Sequence, residues 1–317
     1  MPTKVRALTF AFVLAALPSP CLAADAGPQV ITLGTAAGPL ARPGHSQPAT
    51  LLRWSKGVIL VDAGDGAAEQ VVKAGTPFGA IDTIVLTHLH ADHTGGLFAF
   101  IAMRYQLNLP PFAVYGPPGT ARLVRGLTDA LGPLSDIRLG TGSPFRNPAM
   151  GVVVHEIGDG DTLTLKGVAI KVAANSHFQA GRANPDPAVA QSLSLRFELP
   201  GRSVVITGDT GPSQAVVNLA KGADLLVSEI IQPEAALAEV ASFYPEVAKA
   251  LKGPLLAHFV EEHLTAKELG KLAAAAAVKR VVITHQALAL GGAGKALSEI
   301  KASYRGPVVI AKDLQSY

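Results

Sequence analysis

Apolar residues along this chain recur in short runs closed by glycine, proline or polar turns, the pattern of strands in an α/β fold. Such runs occupy Val30 to Leu33, Gly57 to Val61 and Ile81 to Leu86. They resume at Val152 to His155, Val168 to Ala173, Leu193 to Phe197, Ser203 to Ile206, Leu225 to Val227 and Val281 to Thr284. Between them, Ala67 to Ala74, Thr120 to Leu131, Ser213 to Ala220 and Thr265 to Val278 read as helices. The last opens on Thr265-Ala266-Lys267-Glu268, a capping box, and runs into alanines 273–277, residues of high helix propensity. His263 therefore falls just outside a helix N-terminus. Strands and helices alternate through both halves with no Ser/Gly-rich linker between them. This predicts two similar α/β halves packed sheet against sheet, helices outside, in one domain.

The first residues follow a different pattern. Lys4 and Arg6 precede an apolar run from Ala7 to Leu17, then Pro18, Ser19, Pro20 and small residues at Ala23, Ala24 and Ala26. That is the layout of a secretory signal peptide, and the apolar run is well short of the roughly 20 residues that span a bilayer. Residues 1–24 are expected to be removed, leaving a mature domain of residues 25–317 that is periplasmic or secreted, with no stable membrane association. Pro20 ahead of Cys21 argues against a lipoprotein site. Cys21 is the only cysteine of the 317 residues, so its removal excludes thiolate catalysis, cysteine-zinc sites and disulfides together.

Composition narrows the class further. With 49% hydrophobic residues, and Lys+Arg 27 against Asp+Glu 24, the chain is globular, not disordered. Once Lys4 and Arg6 are gone the balance is close to neutral. This gives no electrostatic footprint for nucleic acid, and no nucleic-acid partner is expected.

The densest chemistry lies in Thr87-His88-Leu89-His90-Ala91-Asp92-His93-Thr94, directly after the strand ending at Leu86. Core packing does not explain three imidazoles and a carboxylate in so short a turn. Metal ions do, since neutral imidazole and carboxylate suit zinc, manganese or iron. Further donors follow later strands: His177, Asp209 and His285, where an α/β sheet presents its chemistry. The set divides into His88, His90 and His177 on one ion and Asp92, His93 and His285 on a second, with Asp209 bridging. Two divalent metal ions are expected, zinc ahead of manganese or iron. Gly116-Pro117-Pro118-Gly119 lacks the successive free N–H groups of a phosphate loop and reads as a turn. His45, His155 and His258 read as structural. Arg182 is either a rim contact for an anionic substrate or a solvated loop residue.

The HxHxDH pattern, followed by an isolated His, Gly208-Asp209-Thr210 and Thr284-His285, resembles the metallo-β-lactamase superfamily, over about Val30 to Asp313. Leu33-Gly34-Thr35 and Val61-Asp62-Ala63-Gly64 resemble its opening turns. The resemblance implies an αββα sandwich with a dinuclear site at one edge of the sheets, and Asp62 steadying the ligand loop. Asp209 stands where the antibiotic hydrolases carry cysteine, which disfavours β-lactams. Asp209 together with His263-Leu264-Thr265, Gly116 to Thr120 and Ala223 to Glu229 is more similar to the ribonuclease Z and arylsulfatase-type branch. No Gly/Pro/Lys-rich arm for gripping transfer RNA is found.

Two divalent cations, two carboxylates and a bridging hydroxide would leave the site with positive charge, which favours a small anionic ester. The expected enzyme is thus an exported hydrolase of phosphodiesters or aryl sulfates, phosphate ahead of sulfate, using the bridging hydroxide as nucleophile. Asp92 and His263 are the candidate catalytic residues, His263 as general acid to the leaving group. A lactonase or thioester hydrolase is the alternative within enzymes. A non-catalytic periplasmic metal-binding protein is the alternative of another class.

Overall fold

The computed structural model describes residues 27–137, 147–179, 190–289 and 291–317. The proposed signal peptide with Cys21, and Arg182, lie outside the described residues.

The first half runs β1 (Gln29–Gly34), β2 (Ala49–Trp54), β3 (Gly57–Val61), α1 (Ala67–Lys73), β4 (Thr83–Val85), α2 (Ala91–Thr94), α3 (Leu97–Gln106), β5 (Phe112–Gly116), α4 (Thr120–Asp129), α5 (Gly132–Asp136) and β6 (Val152–Glu156). The second runs β7 (Thr162–Leu165), β8 (Val168–Ala174), β9 (Leu193–Leu199), β10 (Arg202–Ile206), α6 (Gln214–Ala220), β11 (Leu225–Ile231), α7 (Pro233–Phe243), α8 (Pro245–Ala250), α9 (Lys252–Glu261), α10 (Ala266–Ala275), β12 (Val281–Ala287), α11 (Ala293–Lys301), β13 (Val308–Ile310) and β14 (Gln315–Ser316). The capping box forms as the sequence predicts: Thr265 accepts from the Glu268 N–H, and Glu268 from the Thr265 N–H.

Two seven-stranded sheets result, ordered β14-β1-β2-β3-β4-β5-β6 and β13-β12-β11-β10-β9-β8-β7. The chain end crosses between them: β13 completes the second sheet, and β14 pairs antiparallel with β1 of the first. Three apolar layers explain the stacking. Val30, Leu52, Trp54, Ile59 and Val85 of the first sheet meet Ile170, Leu195, Phe197, Val204 and Val282 of the second in one cluster between the sheets. Outside the first sheet, Leu60, Ile84 and Val114 pack on Val71, Phe100 and Val124 of α1, α3 and α4. Outside the second, Val205, Leu226 and Ile283 pack on Val216, Leu269 and Ile300 of α6, α10 and α11. Strands with both faces covered are why their sequences read as apolar runs. The architecture is the αββα sandwich.

β3 to β6 run parallel, as do β10 to β13, so each set ends its strands at a common edge. The donor residues gather at the meeting of those two edges.

Candidate metal centre

The donor turn between β4 and α2 is held by Asp62, which follows β3. Asp62 has a left-handed backbone, φ 59°, rare for a residue with a Cβ. That twist aims its carboxylate across the edge. Its Oδ1 accepts the Thr87 N–H at 2.7 Å, and its Oδ2 accepts the Thr87 hydroxyl at 2.9 Å and faces His93 Nδ1 at 2.8 Å. His93 is thereby left with Nε2 facing the centre, the carboxylate–histidine arrangement of metal sites. Asp92 Oδ2 accepts the Gly38 N–H at 3.0 Å. Any Cβ at Gly38 would collide with the Asp92 carboxylate, so only glycine allows this approach.

The second half contributes one donor per strand end. His177, after β8, has Nδ1 occupied by the Glu262 carbonyl at 2.8 Å and Nε2 3.2 Å from His90 Nδ1. Asp209, after β10, has Oδ1 3.2 Å from His93 Nε2 and Oδ2 3.7 Å from His88 Nε2 and 3.3 Å from His285 Nε2. His285 lies within β12 at an irregularity in its pairing with β11, with φ 41°, and the distortion turns its ring inward to 3.2 Å from Asp92.

Three groups whose ligand atoms lie within 4.8 Å of one another occur among the described residues: His88, His90, His177 and Asp209; Asp92, His93, Asp209 and His285; and, adjoining these two clusters through His285, Glu229 and His263 with His285. The first two contain all seven donors singled out in the sequence, and Asp209 belongs to both. Among the described residues, His88 Nε2, His93 Nε2 and Asp209 Oδ1 are buried with no hydrogen-bond partner. Orphaned acceptors and crowded imidazoles are costly unless a cation collects them, so the residues fit divalent metal ions. In the first cluster burial dominates: it holds His88 well below its ordinary value and His177 down at about 3, leaving neutral imidazoles with free lone pairs. In the second, burial is opposed by carboxylates. Asp209, Asp62 and Asp92 raise His93, and Asp209 with the hydrogen bond to Asp92 raises His285. Asp209, despite burial, is held far below the carboxylate range by His285 and His93.

His263 is brought beside this centre, its ring 4.8 Å from that of His177 and 6.0 Å from that of His285. Its partner is Glu229, which in the sequence closes the Ala223 to Glu229 likeness but carries no assigned role. Fully buried in β11, Glu229 accepts the Thr210 N–H at 2.7 Å through Oε1 and meets His263 Nδ1 at 2.6 Å through Oε2. Burial resists protonation of His263, but the Glu229 charge and hydrogen bond outweigh it and push the imidazole up to about 9. His258, read from sequence as structural, stands 4.9 Å from His263 ring to ring. His155 does stack on Tyr115, at 4.6 Å, and His45 faces Asp313 and the Thr35 hydroxyl. The Gly119 and Ala121 N–H groups are occupied by Glu156, consistent with a turn and not a phosphate cradle.

A two-sheet fold with this His/Asp edge defines a class of metal-dependent hydrolases. The chain belongs to the beta-lactamase superfamily, whose domain model matches residues 58–286. It is 30% identical over 266 residues to the ribonuclease Z of Mycobacterium avium, covering 83% of this chain and 87% of that one. The fold is similar to that of the metallo-beta-lactamase fold protein YhfI from Bacillus subtilis, with TM-score 0.66 and 17% identity over 92% of this chain and 99% of that one. It is also similar to Zn(2+)-bound PqqB from Methylobacterium extorquens, with TM-score 0.63 and 16% identity over 91% and 99%. The ribonuclease Z relatives overturn the expectation of a small anionic ester substrate and no nucleic acid. Net charge misled because it averages the whole surface and omits the cations that a metal edge adds locally.

Proposed function

We propose that this chain is a dinuclear zinc-dependent phosphodiesterase acting on phosphodiester bonds, those of RNA included. It would be exported by the signal peptide read in residues 1–24, with residues 25–317 as its single domain. The observation that carries the chemistry is the placement of the Glu229–His263 pair directly against two donor clusters that share Asp209. His88, His90 and His177 would hold one ion, Asp92, His93 and His285 the other, and Asp209 both. The ions, when bound, supply a water of lowered pKa and positive charge for the phosphoryl oxygens.

The chain's own groups complete the step. Attack forms one P–O bond from water as the P–O bond to the leaving group breaks, its electron pair departing with that oxygen. Asp92 takes the proton lost by the water, and the His263 imidazolium supplies a proton to the departing oxygen from Nε2. Glu229 holds His263 protonated through Nδ1, so the acid is charged near neutral pH while Nε2 carries the proton to be transferred. One water is consumed per bond cleaved.

The test is kcat/KM on metal-analysed protein for bis(para-nitrophenyl) phosphate, a short unstructured RNA, an aryl sulfate, a lactone and a cephalosporin. Turnover of the phosphodiester and the RNA above the other three is expected. Faster cleavage of the lactone or the cephalosporin would sink the assignment. Export is checked by cell fractionation and N-terminal sequencing, and a retained leader in the cytoplasmic fraction would remove it.

A further inference from the structure

His258 and Glu262 form a second histidine–carboxylate pair beside the first. His258, on α9, faces Glu262 Oε2 through Nδ1 at 2.6 Å and His263 Nε2 through its own Nε2 at 3.4 Å. The two rings are nearly perpendicular, at 87°. Glu262 is also tied to the donor cluster, because its carbonyl accepts from His177 Nδ1 at 2.8 Å. Phe259, next to His258, packs on Ala37, Ile231, Ala236 and Ala287, so α9 is seated on both halves of the fold. The His258 side chain is 34% exposed, against 7% for His263, placing it at the mouth of the site.

We propose that His258, oriented by Glu262, is a positioning residue for the general acid His263. The inference rests on the phosphodiesterase reading for its kinetic consequence, though its geometry does not. Glu229 fixes His263 from Nδ1 alone, which leaves the ring free to swing about that one bond. A second contact at Nε2 removes that freedom. With its Nδ1–H donated to Glu262, His258 presents an acceptor at Nε2, and the His263 Nε2–H points at it. At 3.4 Å this is a long hydrogen bond, weaker than one at the usual ~2.9 Å. A departing oxygen making a shorter bond therefore displaces His258 and finds the proton already aimed. The gain is preorganisation of the proton donor before substrate arrives.

Kinetics and NMR of the metal-loaded protein test this together. His258→Ala is expected to keep metal content and KM and to lower kcat about 3- to 10-fold for an alkyl leaving group, the worth of one long hydrogen bond. The loss should shrink for para-nitrophenolate, which needs little protonation. His258→Gln, which keeps an acceptor, should recover most of the rate, and His258→Ala should add nothing in a His263→Ala background. Equal loss for both leaving groups, or additivity with His263→Ala, would overturn the proposal. Independently of any turnover, histidine ring spectra of labelled protein should show His258 with its proton on Nδ1 and a bond from His263 Nε2. A proton on His258 Nε2 overturns the positioning role even if no phosphodiester is cleaved. Absence of phosphodiester turnover by wild type, with that tautomer present, instead removes the functional reading and leaves the positioning geometry standing.

Discussion

In the first half of the molecule four donors, His88, His90, Asp92 and His93, come from one turn braced by a single buried carboxylate, Asp62. In the second half His177 and Asp209 follow the ends of β8 and β10, His285 lies within β12, and each is braced separately, if at all. The turn is preassembled by local chain geometry, so one anchor serves several donors. The strand ends are assembled by the sheet, so their spacing depends on the register of β8 to β12 and on the irregularity at His285. Asp209 is where the two designs meet, since it alone lies in both clusters.

The largest effect should therefore follow from breaking that junction. Asp209→Ala is expected to lose metal beyond the ~10- to 100-fold weakening typical when an outer partner of a ligand is removed. Elemental analysis after exhaustive dialysis measures it, and retention equal to wild type would take Asp209 out of both clusters. Next comes the proposed proton donor of the second half. His263→Ala should spare metal content and slow turnover by about 10² to 10⁴, the range for a lost general acid. Glu229→Gln should produce a milder version of the same leaving-group dependence, because it lowers the charge that holds His263 protonated. A loss that is uniform across leaving groups in both variants would assign them a structural role instead.

The same contrast explains what could be read from the sequence. The turn was legible because its donors are contiguous and follow an apolar strand that the pattern marks. His177, Asp209 and His285 were legible one at a time, because each follows a run of β-branched or apolar residues. The role of Glu229 was not, since it sits inside Leu225 to Ile231, a strand buried at every position, and only its contact with His263 reveals it. His258 was hidden for a related reason. α9 has no fully buried position, so periodicity assigns it neither face nor neighbour, and its ring reaches the site only because α7 to α9 fold back over the edge. β2, β5, β7, β13 and β14 all escaped: β2 because Ala49 to Trp54 is buried on both faces save at Arg53 and shows no alternation, and β14 because it is too short to carry a pattern. The fold's layers were thus readable from strands, whereas its closing contacts depend on tertiary placement.

A smaller change sharpens the role of the single anchor. Asp62→Asn keeps the shape but removes the charge facing His93 Nδ1, and it is expected to weaken metal binding about 10- to 100-fold. The weakening should extend to His88 and His90, because Thr87 loses its grip at the same time; competition with a chelator reads it. If only one of the two proposed ions is lost more easily, the turn is not braced as a unit.

The smallest expected effect lies in the second half, remote from the metal edge. Asp224, just before β11, accepts from Lys279 Nζ at 2.7 Å and from the Ser203 N–H and hydroxyl at 2.7 and 2.8 Å, fastening β10 to β11. The Lys279 hydrogen bond, then those from Ser203, hold its carboxyl below the ordinary value of 3.8. A carboxylate with a depressed folded-state pKa stabilises the fold above its unfolded value, and that contribution fades as pH falls from there through the folded value. The pair is solvent-accessible, with Lys279 71% exposed, so its worth is at most about 1 kcal/mol and is reduced by salt. Asp224→Asn should accordingly lower thermal stability slightly at neutral pH, with the difference from wild type narrowing once the pH drops below 3.8, and metal content should be unchanged. A stability difference that persists undiminished in acid would mean that the Ser203 contacts act through geometry alone. A loss of metal would mean that strand register in this half is coupled to the site more tightly than separate bracing allows.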